Sequence, residues 1–316
     1  YISRIFFNFW LRDTFNKRIN LDVLVAAYGV NRDINNFDVQ GYQDLKENLL
    51  NSILNPFKSV PSNLIFQWIA NQHINHALAL ADNKAHEAQA YLEAIQRVEK
   101  MMEGDLGLPI TFEVKRNPFR LEIRQNGTVL PINQFSDGTR NFLSWSLDYL
   151  MRSSSLNWKN PTDSALAPGL ILVDEIDSHL HPDWQRRIMS IVSQLLPETY
   201  VIATTHSPFV VGSVDDAQVF QIYRDENGKL DVKASYDEMY GYPADLVLKK
   251  AFVPSLYPPE MEQKLERLSE LAGKRASKKI TPDEQHEHDE LLVELSKVNP
   301  WLENVLALSQ VGGSAE

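Results

Sequence analysis

The sequence predicts an α/β fold. Two short apolar runs carry that expectation, "LILV" at residues 170–173 and "YVIAT" at 200–204, with a helical stretch at 182–196 between them. Runs of this length, closed by polar residues, read as buried strands. The third observation is "LDVLVAAYG", residues 21–29, another such run ended by a glycine.

The remaining elements follow from local pattern. Residues 40–54 read as a helix with Leu45, Leu49 and Leu50 on one side. Residues 63–102 are rich in Ala, Leu, Gln and Glu and hold no Pro or Gly, which predicts a long helical region. "TFEVK" and "FRLEIRQNGTVLPI" alternate apolar and polar residues, and Asn126-Gly127 signals a tight hairpin. A helix is expected from just after Gly138 to about Arg152, then a loop over 153–169. Residues 219–223 and "RDENGKLDVKA" give a second hairpin. The tail from Pro258 reads as two helices, with a capping box at Thr281-Pro282-Asp283-Glu284. Leu265, Leu268 and Leu271 would stripe the first helix, Leu291, Leu292 and Leu295 the second. Trp301 follows as a candidate anchor for a partner.

Composition narrows the functional classes. The 316 residues suffice for one large or two modest domains. The formal net charge of −11 argues against a protein that coats nucleic acid over its whole surface, so any such contact is a local patch. Cysteine is absent, which excludes disulfides and thiolate metal sites and agrees with a cytoplasmic setting. No apolar run approaches the roughly 20 residues of a membrane helix. The N-terminal "YISRIFFNFWLRDTFNKR" lacks the design of a signal peptide, and the absence of an initiating Met suggests a fragment or processed product.

The chemistry lies at the strand ends. "LILV" runs straight into Asp174 and Glu175. In α/β sheets ligands bind outside the carboxyl ends of the strands. One carboxylate there can hold Mg²⁺, and its neighbour can orient and deprotonate water. The bland alternative is a strand that happens to end in two exposed acids. The next strand ends in Thr205, His206 and Ser207, where a histidine can hydrogen-bond a phosphate. Before the central helix, Ser136 and Gly138 could form an anion site or simply cap it. Arg32, after "YGVN", is a candidate to point into a nucleotide site. "HEHDE", residues 286–290, reads as a solvated helix face rather than a metal cluster. "GKRASKK", 273–279, is the clearest basic patch, a solvated loop or a contact for DNA or a partner.

In this order and spacing, the pieces resemble ABC-type ATPases. "FSDGTRNFL" looks like their signature motif, "LILVDE" like the Walker B strand, "SHLH" like the D-loop and "ATTHSP" like the switch-histidine loop. The forms "LVDEIDSHLHPDWQ" and "ATTHSPFVV" resemble the RecF, SMC and OLD branch. "VLVAAYGVNRD" and "RLEIRQNGTVLPINQFSDGTRNFLSW" are similar to bacterial anti-phage ATPases of the Septu PtuA and retron-associated kind. The resemblance implies an ABC-type (RecA-like) ATPase lobe with a helical insertion and a C-terminal helical tail. Residues 1–60 would be the interior part of the core and 61–105 the insertion. Residues 106–235 would be core with the motifs, and 236–316 the helical region. It implies that Asp174 holds Mg²⁺ through water, Glu175 is the general base and His206 contacts the γ-phosphate of ATP. Ser136 and Gly138 would bind nucleotide held by a second copy, in a head-to-tail dimer. Ser178, His179 and His181 would form the D-loop, His181 standing where many such loops carry Asp.

One departure matters: the chain contains no G-x-x-x-x-G-K-[ST] phosphate loop. The expectation is a C-terminal part of a longer protein that binds ATP poorly by itself. A degenerate ATPase, or one completed by another chain, are the alternatives. The implied function is an ATPase subunit of an anti-phage system that controls a partner, an HNH-type nuclease or a retron effector, with nucleic acid as a further candidate ligand and no membrane. The rivals are a RecF/SMC-like DNA-repair ATPase and a non-catalytic scaffold.

Overall fold

A computed structural model describes residues 24–32, 34–45, 61–156, 169–215, 217–224, 227–235, 239–252 and 257–298. The chain divides into two compact units, Tyr1–Ala244 and Asp245–Glu316. In the first, strands β1 (Leu24–Tyr28), β5 (Gly169–Val173) and β6 (Thr199–Ala203) form a parallel sheet in the order β1-β5-β6. Their registers pair Leu24 with Gly169 and Gly169 with Thr199, so Tyr28, Val173 and Ala203 finish side by side. The strand-end residues that the sequence places at one edge therefore share that edge.

Helix α1 (Ser62–Ala81) and α2 (Ala85–Gly104) pack on each other. The single helical region expected over 63–102 is broken at residues 82–84, where Asn83 takes φ +61°. Asparagine enters this left-handed region more readily than other non-glycine residues, so the turn needs neither Gly nor Pro. The helix expected from residue 40 is absent over 40–45. Side chains of α1 hydrogen-bond that backbone instead. Gln40 and Gln43 N–H donate to Gln67 Oε1 and Asn71 Oδ1, while Gln67 and Asn71 amides donate to the carbonyls of Gln40, Gly41 and Gln43. Residues 46–60 lie outside the described residues.

Strands β2 (Ile110–Arg116), β3 (Phe119–Gln125) and β4 (Thr128–Val129) form an antiparallel sheet. Asn126 and Gly127 have φ +50° and +78°, the primed turn their sequence demands. Helix α3 (Asp137–Leu156) packs on β1, α1 and α2. It buries Phe142, Leu143, Trp145, Leu147, Tyr149, Leu150 and Met151, so it is a core helix rather than a half-wet one. It runs to Leu156, into the stretch expected as loop, and 157–168 lie outside the described residues.

The helix expected over 182–196 is two pieces, a turn at Pro182–Gln185 and α4 (Ile188–Leu195). A short turn, Pro208–Val211, follows β6, and β7 (Val219–Arg224) pairs with β8 (Leu230–Ser235) as the second hairpin.

The second unit holds α5 (Pro259–Ala276) and α6 (Pro282–Val298). Leu268, Leu271 and Leu295 are buried, with Leu265, Leu291 and Leu292 partly covered beside them. The capping box is formed: Glu284 N–H donates to Thr281 Oγ1 and Thr281 N–H to Glu284 Oε2. In the basic loop Lys274 pairs with Glu284 at 2.6 Å and Arg275 with Asp289 at 3.6 Å, so two of the patch's four cations are paired within the hairpin. His286 is exposed, but His288 is buried and bonds Asp289, a correction to the wholly solvated face expected there. Trp301 lies outside the described residues. Among the described residues no helix is long and apolar enough to cross a membrane.

Candidate functional site: acids at a parallel sheet edge

The strand ends are stitched together by backbone and hydroxyl bonds. Asp174 N–H donates to Tyr28 O at 2.8 Å, and Thr204 N–H to Val173 O at 3.0 Å. Thr204 Oγ1 donates to Asp174 Oδ1 at 2.5 Å and accepts from Glu175 N–H at 2.8 Å. Asp174 is exposed and Glu175 half-buried, so neither acid is sealed in the core.

Glu175 has φ +45°, in the left-handed region that a non-glycine enters only when its surroundings hold it there. Such strain clusters at functional sites. The turn that follows is anchored by buried Ile176 and Leu180. Ser178 N–H donates to Glu175 O and Leu180 N–H to Asp177 O. Thr205 Oγ1 donates to Asp177 Oδ1. His206 is exposed one residue farther on. Ser207 caps the turn at Pro208, accepting from Phe209 and Val210 N–H, and donates to Gln185 Oε1 at 2.6 Å.

The other predicted residues are placed less uniformly. Ser136 is exposed and caps α3, accepting from Thr139 N–H at 3.2 Å. Gly138 is buried; a Cβ there would lie 2.5 Å from His179 O. Its lack of a side chain serves contact with the turn of its own chain. His179 itself is exposed with φ +62°. His181 is exposed, accepts from Asp183 N–H at 3.3 Å and caps the Pro182 turn.

Arg32 does not point into an open site. It is 1% exposed and lies under the acids, bonded to Gly29 O, Asp174 O, Glu175 O and Asn141 Oδ1. Burial pulls its guanidinium down to about 10, while Asp174, Glu175 and Asp177 pull it back up. Sequence reasoning also missed Thr204, whose signal was a hydroxyl directly after a strand that ends beside Asp174.

The donor set suits a hard cation. Asp174 would hold Mg²⁺, which takes oxygen donors, while the Thr204 hydroxyl steadies that carboxylate through its bond to Oδ1. The chain itself offers no glycine-rich cradle with lysine for the phosphates.

Parallel strands that bring two acids and a histidine to one carboxyl edge define an α/β domain with polar side chains at the place where such sheets bind ligands. Residues 3–212 match the family described as "AAA domain, putative AbiEii toxin, Type IV TA system", and the chain belongs to that family. Over 220 residues it is 26% identical to "Retron Ec83 probable ATPase" of Escherichia coli, covering 69% of this chain and 39% of that protein. Over 74 residues it is 38% identical to Septu protein PtuA of Bacillus thuringiensis, covering 23% of this chain and 19% of that one. The chain thus matches well under two thirds of the length of these relatives. Among solved structures it is similar to an Smc head domain with coiled coil and joint from Pyrococcus yayanosii. That match has a TM-score of 0.37 and 20% identity, over 56% of this chain and 33% of that one.

Proposed function

We propose that this chain carries the hydrolytic edge of an ABC-type ATPase that serves a Septu- or retron-type defence system. The observation that supports this most is the flush ending of β1, β5 and β6, which gathers Asp174, Glu175, Thr204 and His206 at one edge. Asp174, steadied by Thr204, would hold Mg²⁺, which neutralises phosphate charge when bound. Glu175 would take a proton from the water as its oxygen bonds to the γ-phosphorus, and ADP would leave as the bond from that phosphorus to the β–γ bridging oxygen breaks. His206, exposed beside them, would donate to the γ-phosphate. Exposed Ser136 would meet nucleotide held by a second copy in a head-to-tail dimer, with buried Gly138 supporting the turn behind it. The ATP-dependent dimer would control a partner chain, an HNH-type nuclease or a retron effector.

Glu175→Gln tests the reading in the protein that carries this chain. ATP binding is expected to persist while turnover falls by about a hundredfold or more. Turnover near the wild-type rate would remove Glu175 from the role.

A further inference from the structure

Arg32 is a fully buried cation whose bonds run to three separate parts of the chain. Its Nη1 donates to Asp174 O at 2.6 Å and to Gly29 O at 3.1 Å, its Nη2 to Glu175 O at 2.6 Å, and its Nε to Asn141 Oδ1 at 2.8 Å. Two features of this set are informative. First, it grips the main-chain oxygens of both acids and leaves their carboxylates to the ligand side. A guanidinium that served only to neutralise the acids would pair with the carboxylates directly. Second, the rigid fork of Arg, unlike the single head of Lys, can hold two adjacent carbonyls and a third acceptor at once.

The bond to Glu175 O falls on the residue with φ +45°. The side-chain direction of Glu175 depends on that backbone angle, so the clamp aims the carboxylate. The remaining arm reaches Asn141, one turn into α3. The start of α3 also presses Gly138 on the His179 carbonyl. Helix α3 therefore touches the acid turn twice, at 174–175 through Arg32 and at 179 directly.

We propose that Arg32 is a positioning residue for hydrolysis, which fixes the Asp174–Glu175 backbone and ties the aim of Glu175 to the position of helix α3 through Asn141. The catalytic half of this rests on Glu175 being the general base. A displacement of the exposed Ser136 end of α3 would be passed to Glu175 by a side chain that never touches nucleotide.

The test uses Arg32→Lys and Asn141→Ala in the protein that carries this chain, with hydrogen–deuterium exchange and steady-state ATPase kinetics. The reporters are the amides of Ile176, Ser178 and Leu180, which bond Thr204 O, Glu175 O and Asp177 O. Their exchange is expected to rise about tenfold or more in both variants while the β2–β3 amides keep their wild-type rates. The kcat is expected to fall about tenfold or more with KM within about threefold, since Arg32 acts on the base and not on nucleotide. Unchanged exchange at the three amides in a folded variant overturns the proposal whatever the turnover. Faster exchange everywhere, β2–β3 included, reduces Arg32 to a group that only stabilises the fold and likewise overturns it. Should Arg32→Lys not fold, Asn141→Ala cuts the helix arm alone and carries the same readout. Faster local exchange with unaltered kcat, where Glu175→Gln does abolish turnover, overturns the catalytic half alone. A Glu175→Gln variant as active as wild type instead overturns the reading of Glu175, and the exchange result still decides whether Arg32 makes the tie.

Discussion

Thr204 bridges the two acids: its hydroxyl donates to Asp174 Oδ1 at 2.5 Å and accepts from the Glu175 N–H at 2.8 Å. Valine at 204 keeps the shape and removes both bonds. A hydrogen bond to a charged group contributes roughly 1.5–3 kcal/mol. Thr204→Val is expected to lower turnover by about tenfold or more, whereas Thr204→Ser keeps most of it. ATPase rates of the two variants side by side check this; equal rates would mean that the hydroxyl is idle.

Gly138→Ala should strain the turn. The added methyl would meet the His179 backbone, which is not a flexible side-chain end that can swing away. Overpacking of this kind costs about 1–3 kcal/mol. A lower melting temperature together with reduced turnover is expected. A variant that melts and turns over like wild type would show that the contact yields freely.

Asp148 accepts from Tyr28 OH at 2.7 Å and from Arg152 Nε at 2.7 Å, all three side chains being buried. Burial and the neighbouring carboxylate push the Tyr28 hydroxyl well above its usual value, so it stays a donor. Removal of one partner of a buried pair costs about 3–5 kcal/mol. Asp148→Ala is expected to lose about that much in urea unfolding, and a loss under about 1 kcal/mol would place the stability of this region elsewhere.

In the second unit the Lys274 ammonium and the Thr281 amide hold Glu284 down at about 2, against an ordinary 4.5. A carboxylate with a depressed folded value adds stability above its unfolded value and loses it as pH falls. The contribution should therefore be intact above pH 4.5 and gone below about 2. Carboxyl carbon NMR across that window reads it directly. Lys274→Gln should raise the Glu284 midpoint, and an unmoved midpoint would discard Lys274 as the cause.

Most local features of the fold were legible in the sequence, apart from the helix breaks at 82–84 and 186–187, and the long-range side-chain bonds were not. The apolar runs of β1, β5 and β6 announce themselves because a strand buried in a sheet needs little besides apolar side chains. Asn126-Gly127 is legible because few residue pairs accept positive φ twice in succession. The acids and His206 are legible as strand-end residues, since strand direction and sheet class fix the edge where they emerge. The Arg32 clamp is not, because its partners Asn141, Asp174 and Glu175 lie more than a hundred positions away. The helix expected from residue 40 rested on the spacing of Leu45, Leu49 and Leu50, but over 40–45 Gln67 and Asn71 satisfy the backbone instead.

Strand β6 has β5 as its only sheet neighbour among the described residues, and Tyr200 and Ile202 are 80% and 48% exposed on one of its faces. Phe220, Ile222, Leu230 and Val232 are bare on a single side of the β7–β8 hairpin. Unpaired backbone beside greasy side chains is a template for self-adhesion. Whoever purifies these 316 residues as a lone polypeptide should plan for a sticky sample. Dilute handling and light scattering belong before any assay, because a precipitate can pass for an inactive enzyme.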